Sequence, residues 1–240
     1  MSEATRRSYD AVAARYAQEV GGELAGKPAD RALLDRAAAA GSGGIMADVG
    51  CGPGHVAEYL NGRGARVTAV DLSPSMCAIA RTAHVTGQGQ TPAVAGDMTA
   101  LPIRSGALSG LVCLYAVIHL DRDERGAAYA EFARALAPGA QALIAFHTHA
   151  AGVVPGTAVD LTEWWDEAVQ LTFRYLDPEG EVTLLTGAGL RAVDRLDRNF
   201  YPGVEHASRR CYLTVERPHR GARIAYRAWT RHPDRTLSQG

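Results

Sequence analysis

The chain has 240 residues, 47% hydrophobic and 21% charged, with a formal net charge of −1. That is enough ordinary globular sequence for a full core in one domain, and the near-neutral charge argues against nucleic acid or an anionic membrane surface as partner. The four cysteines (Cys51, Cys77, Cys113, Cys211) show neither CxxC nor metal-ligand spacing, which argues against a disulfide framework and fits a reducing cytoplasm.

No run reaches the roughly 18 apolar residues that a bilayer span needs. The opening MSEATRRSYD has no apolar core of a signal peptide, so a soluble, cytoplasmic protein without a membrane partner is expected. Lys27 is the single lysine among 25 basic side chains.

Residues 4–20 carry Tyr9, Val12, Ala13, Tyr16 and Val20 at helical spacing. GGELAGKP breaks that helix, and Asp30 is expected to cap a second one running to about Ala40. IMADV (45–49) reads as a strand, His55–Leu60 as a helix, and ARVTAVD (65–71) as the next strand. Ser73-Pro74 opens a helix, with Ser as N-cap and Pro at its first position. Strands follow at 92–97, 109–117 and 140–147, with a helix over 122–137 between the last two. Nearly all-apolar strands alternating with helices imply a parallel sheet covered on both faces. TEWWDEAVQLTFRY reads as a helical turn, then an alternating stretch through Val169, Leu171, Phe173 and Tyr175. Asp177-Pro178 caps a further helix, and strands are expected around 191–199 and 208–216.

ADVGCGPGH (47–55) places Gly50, Gly52 and Gly54 at alternate positions between a strand and a helix, flanking Cys51 and Pro53. Backbone N–H groups at such a turn suit a polar or anionic group, but the spacing is one residue short of the dinucleotide fingerprint. Asp71 ends the second strand and Gly96-Asp97 the third. Two carboxylates at successive strand ends suit the exchangeable protons of a nucleoside rather than a phosphate.

These segments, with YDAVAARY (9–16), AVDLSPSM (69–76), AGDMTALP (95–102), LYAVIHL (114–120) and RALAPGA (134–140), resemble the class I S-adenosylmethionine-dependent methyltransferases. The resemblance covers about residues 5–217, and LTEWWDEAVQLTFRYLDPEGEVTLLTGAGLRAV (161–193) is similar to a bacterial small-molecule subgroup. Ala140 departs from the usual PGG turn. The resemblance implies an α/β, Rossmann-like, seven-stranded, mostly parallel sheet with helices on both faces and the last strand antiparallel. It divides the chain into an N-terminal helical lid (1–40), a core (41–217) with an aromatic insert near 150–176, and a basic appendage (218–240). For S-adenosylmethionine as cofactor, it implies that the backbone of Gly50, Cys51, Gly52 and Gly54 approaches the methionine part. Asp48 orients the amino group through water, Asp71 takes the ribose hydroxyls and Leu72 packs on the adenine. Asp97, beside Gly96, and the Met98 N–H meet the adenine edge, and backbone at Leu114 or Tyr115 receives the ammonium. Tyr9 and Tyr16, seven residues apart on one helical face, are placed over the cofactor, and Lys27 within reach of its carboxylate; residues 1–28 form a lid that orders on binding.

Methyl transfer needs an in-line approach, and a base helps when the acceptor carries a proton. His119 and His147, after the fourth strand and at the end of the fifth, are the candidates; His149 lies further on, and no carboxylate or further histidine at ligand spacing completes a metal site with His147 and His149. Trp164, Trp165, Phe173 and Tyr175 favour an aromatic or apolar small-molecule acceptor with an O or N nucleophile. Arg217, Arg220, Arg223, Arg227 and Arg231 fall on one helical stripe, and residues 191–240 hold eleven arginines against five acids. A solvated face outweighs a docking role there, and a homodimer is the assembly to test for. The competing readings are an RNA or protein methyltransferase, a non-catalytic cofactor-binding protein and, least, a nicotinamide oxidoreductase.

Overall fold

The computed structural model describes residues 2–82, 84–85 and 89–219. Two helices come first, α1 (Glu3–Val20) and α2 (Pro28–Ala40). The alternating body follows: β1 (Ile45–Val49), α3 (His55–Gly62), β2 (Arg66–Asp71), α4 (Pro74–Thr82), β3 (Ala93–Ala95), β4 (Leu108–Leu114), α5 (Arg122–Ala135) and β5 (Leu136–Ala150). A hairpin of β6 (Ala158–Trp164) and β7 (Glu167–Arg174) then precedes α6 (Pro178–Gly187), β8 (Arg191–Arg198) and β9 (Ser208–Glu216).

The main sheet has seven strands in the order β8-β9-β5-β4-β1-β2-β3. Its β5-β4-β1-β2-β3 pairings are all parallel, and β9 runs antiparallel to both neighbours. Alternate residues of the central strands feed two separate cores. Leu111, Cys113, Ile144 and Phe146 pack with Tyr129 and Phe132 of α5 and Leu185 of α6. Val112, Leu143 and Ala145 pack on the other face with Leu34 of α2 and Val56 and Leu60 of α3. Helices on both faces are why these strands read as unbroken apolar runs.

Three local expectations are corrected. Asp30 does not cap α2: Pro28 takes the first helical position after Lys27. Asp30 is buried in the first turn, where it accepts from Tyr212 Oη (2.8 Å) and pairs with Arg198 (2.6 Å). The fourth strand stops at Leu114 because Tyr115 turns into the left-handed region (φ 58°), and Val117–His119 forms a short 3₁₀ turn. The TEWW segment is a strand, not a helical turn. Trp165 and Asp166 both have positive φ (54° and 66°), as a two-residue hairpin turn between twisted strands requires. Trp165 stacks on Trp164 with ring centroids 4.6 Å apart.

The residue departing from the usual turn, Ala140, lies within β5 and accepts from Arg217 N (2.9 Å), so it joins the pairing with the end of β9. Arg217 also donates to the Arg134 and Leu136 carbonyls. The rest of the arginine stripe, from Arg220, lies outside the described residues. Among those described, no helix is long and apolar enough to cross a membrane.

Candidate active site

A cleft of about 900 Å³, partly open to solvent, lies at the C-terminal ends of β1, β2 and β4, the end at which open α/β sheets bind ligands. Tyr9, Tyr16, Asp48, Gly50, Cys51, Gly52, Asp71, Leu72, Gly96, Met98, Leu114, Tyr115 and His119 line it, all singled out from the sequence. Lys27, Gly54, Asp97 and His147, also singled out, do not.

The glycine loop is shaped by its neighbours. At Gly50 (φ 72°) a Cβ would stand 2.2 Å from Ala116 Cβ, and at Gly54 (φ 90°) 2.9 Å from Ala80 Cα. Those two glycines let the loop pack under the 115–119 turn and α3 pack on α4. Gly52 (φ 52°) differs, because its open side faces Tyr16 across ordinary contact distance (3.6 Å). Its N–H donates to Asp71 Oδ2 (2.8 Å), and Ser73 N–H donates to Asp71 Oδ1 (2.8 Å). Both Asp71 oxygens keep lone pairs for further donors. Burial still holds its carboxyl above the usual range.

Asp48 is only 2% exposed and its Oδ2 has no hydrogen-bond partner. Burial, reinforced by the Asp71 charge, pushes its carboxyl up to about 7. A buried orphan oxygen on a cleft wall asks for a donor. These acceptors therefore fit S-adenosylmethionine, whose ammonium and ribose hydroxyls are donors.

Of the aromatic cluster over the cleft only Tyr9 and Tyr16 line it; the rings of the β6–β7 hairpin pack behind them against α1. Val12 of α1 packs with Val169 and Leu171 of β7, surrounded by Tyr9, Tyr16, Trp164, Trp165 and Phe173. Tyr9 meets Tyr16 and Trp164 edge-on at 6.0 and 6.3 Å, and Tyr16 meets Trp164 at 5.6 Å. Such contacts add about 0.5–1.5 kcal/mol each beyond burial. Ser8 Oγ accepts from Gln170 N (2.8 Å), and Asp10 accepts from Ser73 Oγ (2.5 Å) and Ser75 N (3.1 Å), so α1 is tied to the hairpin and to the start of α4.

The two candidate bases part company. His119 lines the cleft, 2.6 Å from Tyr9 Oη through Nε2 and 3.0 Å from Thr172 O through Nδ1. The carbonyl can only accept, so Nδ1 carries the proton and Nε2 accepts from Tyr9. Burial lowers this imidazole to about 4. His147 is turned away: Nδ1 bonds Ser208 Oγ (2.8 Å), the ring stacks on Tyr115 (4.9 Å), and burial beside Arg210 lowers it to about 3. The strand continues to Ala150, so His149 is still on β5 and bonds Thr148.

Lys27 is 3% exposed and its Nζ is held by Glu23 (2.7 Å) and Glu205 (3.4 Å), which removes it from the direct contact expected of it. Asp97 accepts from the N–H and hydroxyl of Thr99, both at 2.8 Å, just outside the cleft. Sequence reasoning missed Glu23, Asp30 and His55, which do line it. Two signals were available: Glu23 stands four residues before Lys27, and His55 directly follows the glycine loop.

The methyltransferase domain family profile matches residues 46–139. The malonyl-[acyl-carrier protein] O-methyltransferase of Serratia marcescens is 32% identical over 145 residues, 59% of this chain and 54% of that protein. Its counterpart from Enterobacter lignolyticus is 32% identical over 188 residues, 77% of this chain and 68% of that protein. The chain spans about half the length of two of the curated relatives it matches. In fold it is similar to the 1,6-didemethyltoxoflavin-N1-methyltransferase of Burkholderia thailandensis, solved with 1,6-didemethyltoxoflavin and S-adenosylhomocysteine. That similarity has a TM-score of 0.68 at 22% identity and covers 89% of this chain and 87% of that one. With sheet order, glycine loop and relatives in agreement, the chain belongs to the class I S-adenosylmethionine-dependent methyltransferases.

Proposed function

We propose that the protein transfers a methyl group from S-adenosylmethionine to an oxygen or nitrogen of a small aromatic or apolar acceptor. The observation that carries this reading is the cleft itself: carboxylates at the ends of β1 and β2, a glycine loop between them, and a roof made by the rings of Tyr9 and Tyr16. S-adenosylmethionine, when bound, supplies an electrophilic methyl on a sulfonium. Asp71 holds the ribose hydroxyls and Leu72, Gly96 and Met98 frame the adenine. Asp48 faces the amino group. Tyr115 N–H is used by Ala145 O (2.8 Å), so that residue can offer the ammonium only its carbonyl.

The aromatic roof excludes water and orients an apolar acceptor beneath it, where positioning and desolvation supply most of the acceleration. His119 is the base: neutral over the whole physiological range, with its tautomer set by Thr172 O, it takes the acceptor's proton through Tyr9 Oη, which donates to its Nε2. His147 has no place in this step. Residues 2–28 act as the lid, α2 being packed into the core, and the β6–β7 hairpin backs it.

Titration with S-adenosylmethionine, followed by a screen of phenols, amines and acids for S-adenosylhomocysteine formation, tests this. Malonyl-[acyl-carrier protein] belongs in the screen because relatives are named for it. Absence of cofactor binding would overturn the reading. Binding with no turnover on any acceptor would favour the non-catalytic alternative.

A further inference from the structure

Two buried polar atoms on the cleft wall lack a hydrogen-bond partner, Asp48 Oδ2 and His55 Nδ1. They flank the glycine loop, Asp48 near the end of β1 and His55 at the first position of α3. In the sheet, β1 lies between β4 and β2, so these groups sit apart from Gly96 after β3, where the base of the nucleoside is expected. One atom can accept and the other belongs to a ring that can donate. A zwitterion needs that combination.

The charges around them narrow the choice. Asp48, Glu23, Asp30 and Asp71 all line the cleft, and a ligand carboxylate would be repelled by each. Among the described residues lining it, only His55 and His119 can carry positive charge, and both His119 nitrogens are engaged. His55 is held on its other side. Its Nε2 lies 3.5 Å from Glu23 Oε1, and Glu23 Oε2 lies 2.7 Å from Lys27 Nζ. Burial works against the Glu23 charge, but His55 and Lys27 outweigh it and keep the carboxyl below its ordinary value.

We propose that His55 binds the carboxylate of the cofactor's methionine moiety, with Glu23 and Lys27 as positioning residues that orient its ring, while Asp48 faces the adjoining ammonium. This rests on the cleft being the S-adenosylmethionine site. It also gives the lone lysine a part in cofactor binding through Glu23, not by contact.

The test is calorimetric and needs no turnover. S-adenosylhomocysteine is compared with its decarboxylated analogue, which keeps the amine and lacks only the carboxylate. The wild-type protein should prefer S-adenosylhomocysteine by about tenfold or more, the size of a charge-assisted hydrogen bond. His55→Ala should lose that preference and leave the analogue's affinity unchanged. His55→Gln, which keeps a donor, should restore part of it, and Glu23→Gln should erode it. An unchanged preference in His55→Ala overturns the proposal, as does equal weakening of both ligands, the mark of a merely structural role. If the wild-type protein binds neither ligand, the reading of the cleft as the cofactor site falls first.

Discussion

Asp48 should couple cofactor binding to proton release. Its carboxyl lies at about 7 in the free protein because burial and the Asp71 charge both oppose ionisation. At pH 6 the cleft therefore holds mostly the neutral acid. A ligand that brings an ammonium toward Oδ2 favours the carboxylate, so the acid must shed its proton as the ligand binds. The sign follows: affinity falls as pH drops below about 7 and levels off above it. Each tenfold fall in the acid's proton affinity on binding is worth about 1.4 kcal/mol, or tenfold in ligand affinity, across that window. Calorimetry of S-adenosylhomocysteine at pH 5.5, 6.5 and 7.5, in buffers of different ionisation enthalpy, counts the protons released. The number should approach one near pH 6 and vanish above pH 8. Asp48→Asn should abolish the release and flatten the profile. Binding without proton release at pH 6, or an unchanged pH profile in Asp48→Asn, would refute the reasoning.

Asp71→Ala should weaken S-adenosylhomocysteine binding by about 1.5–3 kcal/mol for each charge-assisted bond lost, and unchanged affinity in titration would remove the ribose assignment. His119→Ala should keep cofactor affinity but lose about 100-fold in turnover on the true acceptor. With the imidazole at about 4, the acid limb of wild-type kcat at saturating S-adenosylmethionine should not fall near 6.5; wild-type turnover in the variant would leave catalysis to proximity alone. Hydrogen exchange over residues 2–28 should slow when S-adenosylhomocysteine binds, and equal protection with and without ligand would reject the lid.

Local signals made much of this molecule legible in its sequence. The alternation of apolar strands with helices, the Ser73 and Asp177 caps and the glycine loop depend on residues a few positions apart. Ser73 Oγ accepts from Met76 N and Asp177 Oδ2 from Gly180 N, as their spacing implies. Asp71 at the end of β2 was visible for the same reason, because strand ends can be read from hydrophobic runs; Asp97, read in the same way, lies outside the cleft, and Asp48 came from the family resemblance.

Which side chains those ends present to the cleft was decided elsewhere. Asp30 looks like a cap until β9 brings Tyr212 against it from 182 positions away. His147 looks like a base until Ser208 takes its nitrogen from the neighbouring strand. His119 looks free until α1 and β7 close over it with Tyr9 and Thr172. Lys27 looks like a cofactor contact until Glu205 joins Glu23 around it. The physical reason is common to all four. A buried polar group takes whichever partner the packing of distant strands and helices delivers, because leaving it unpaired costs more than any local preference provides.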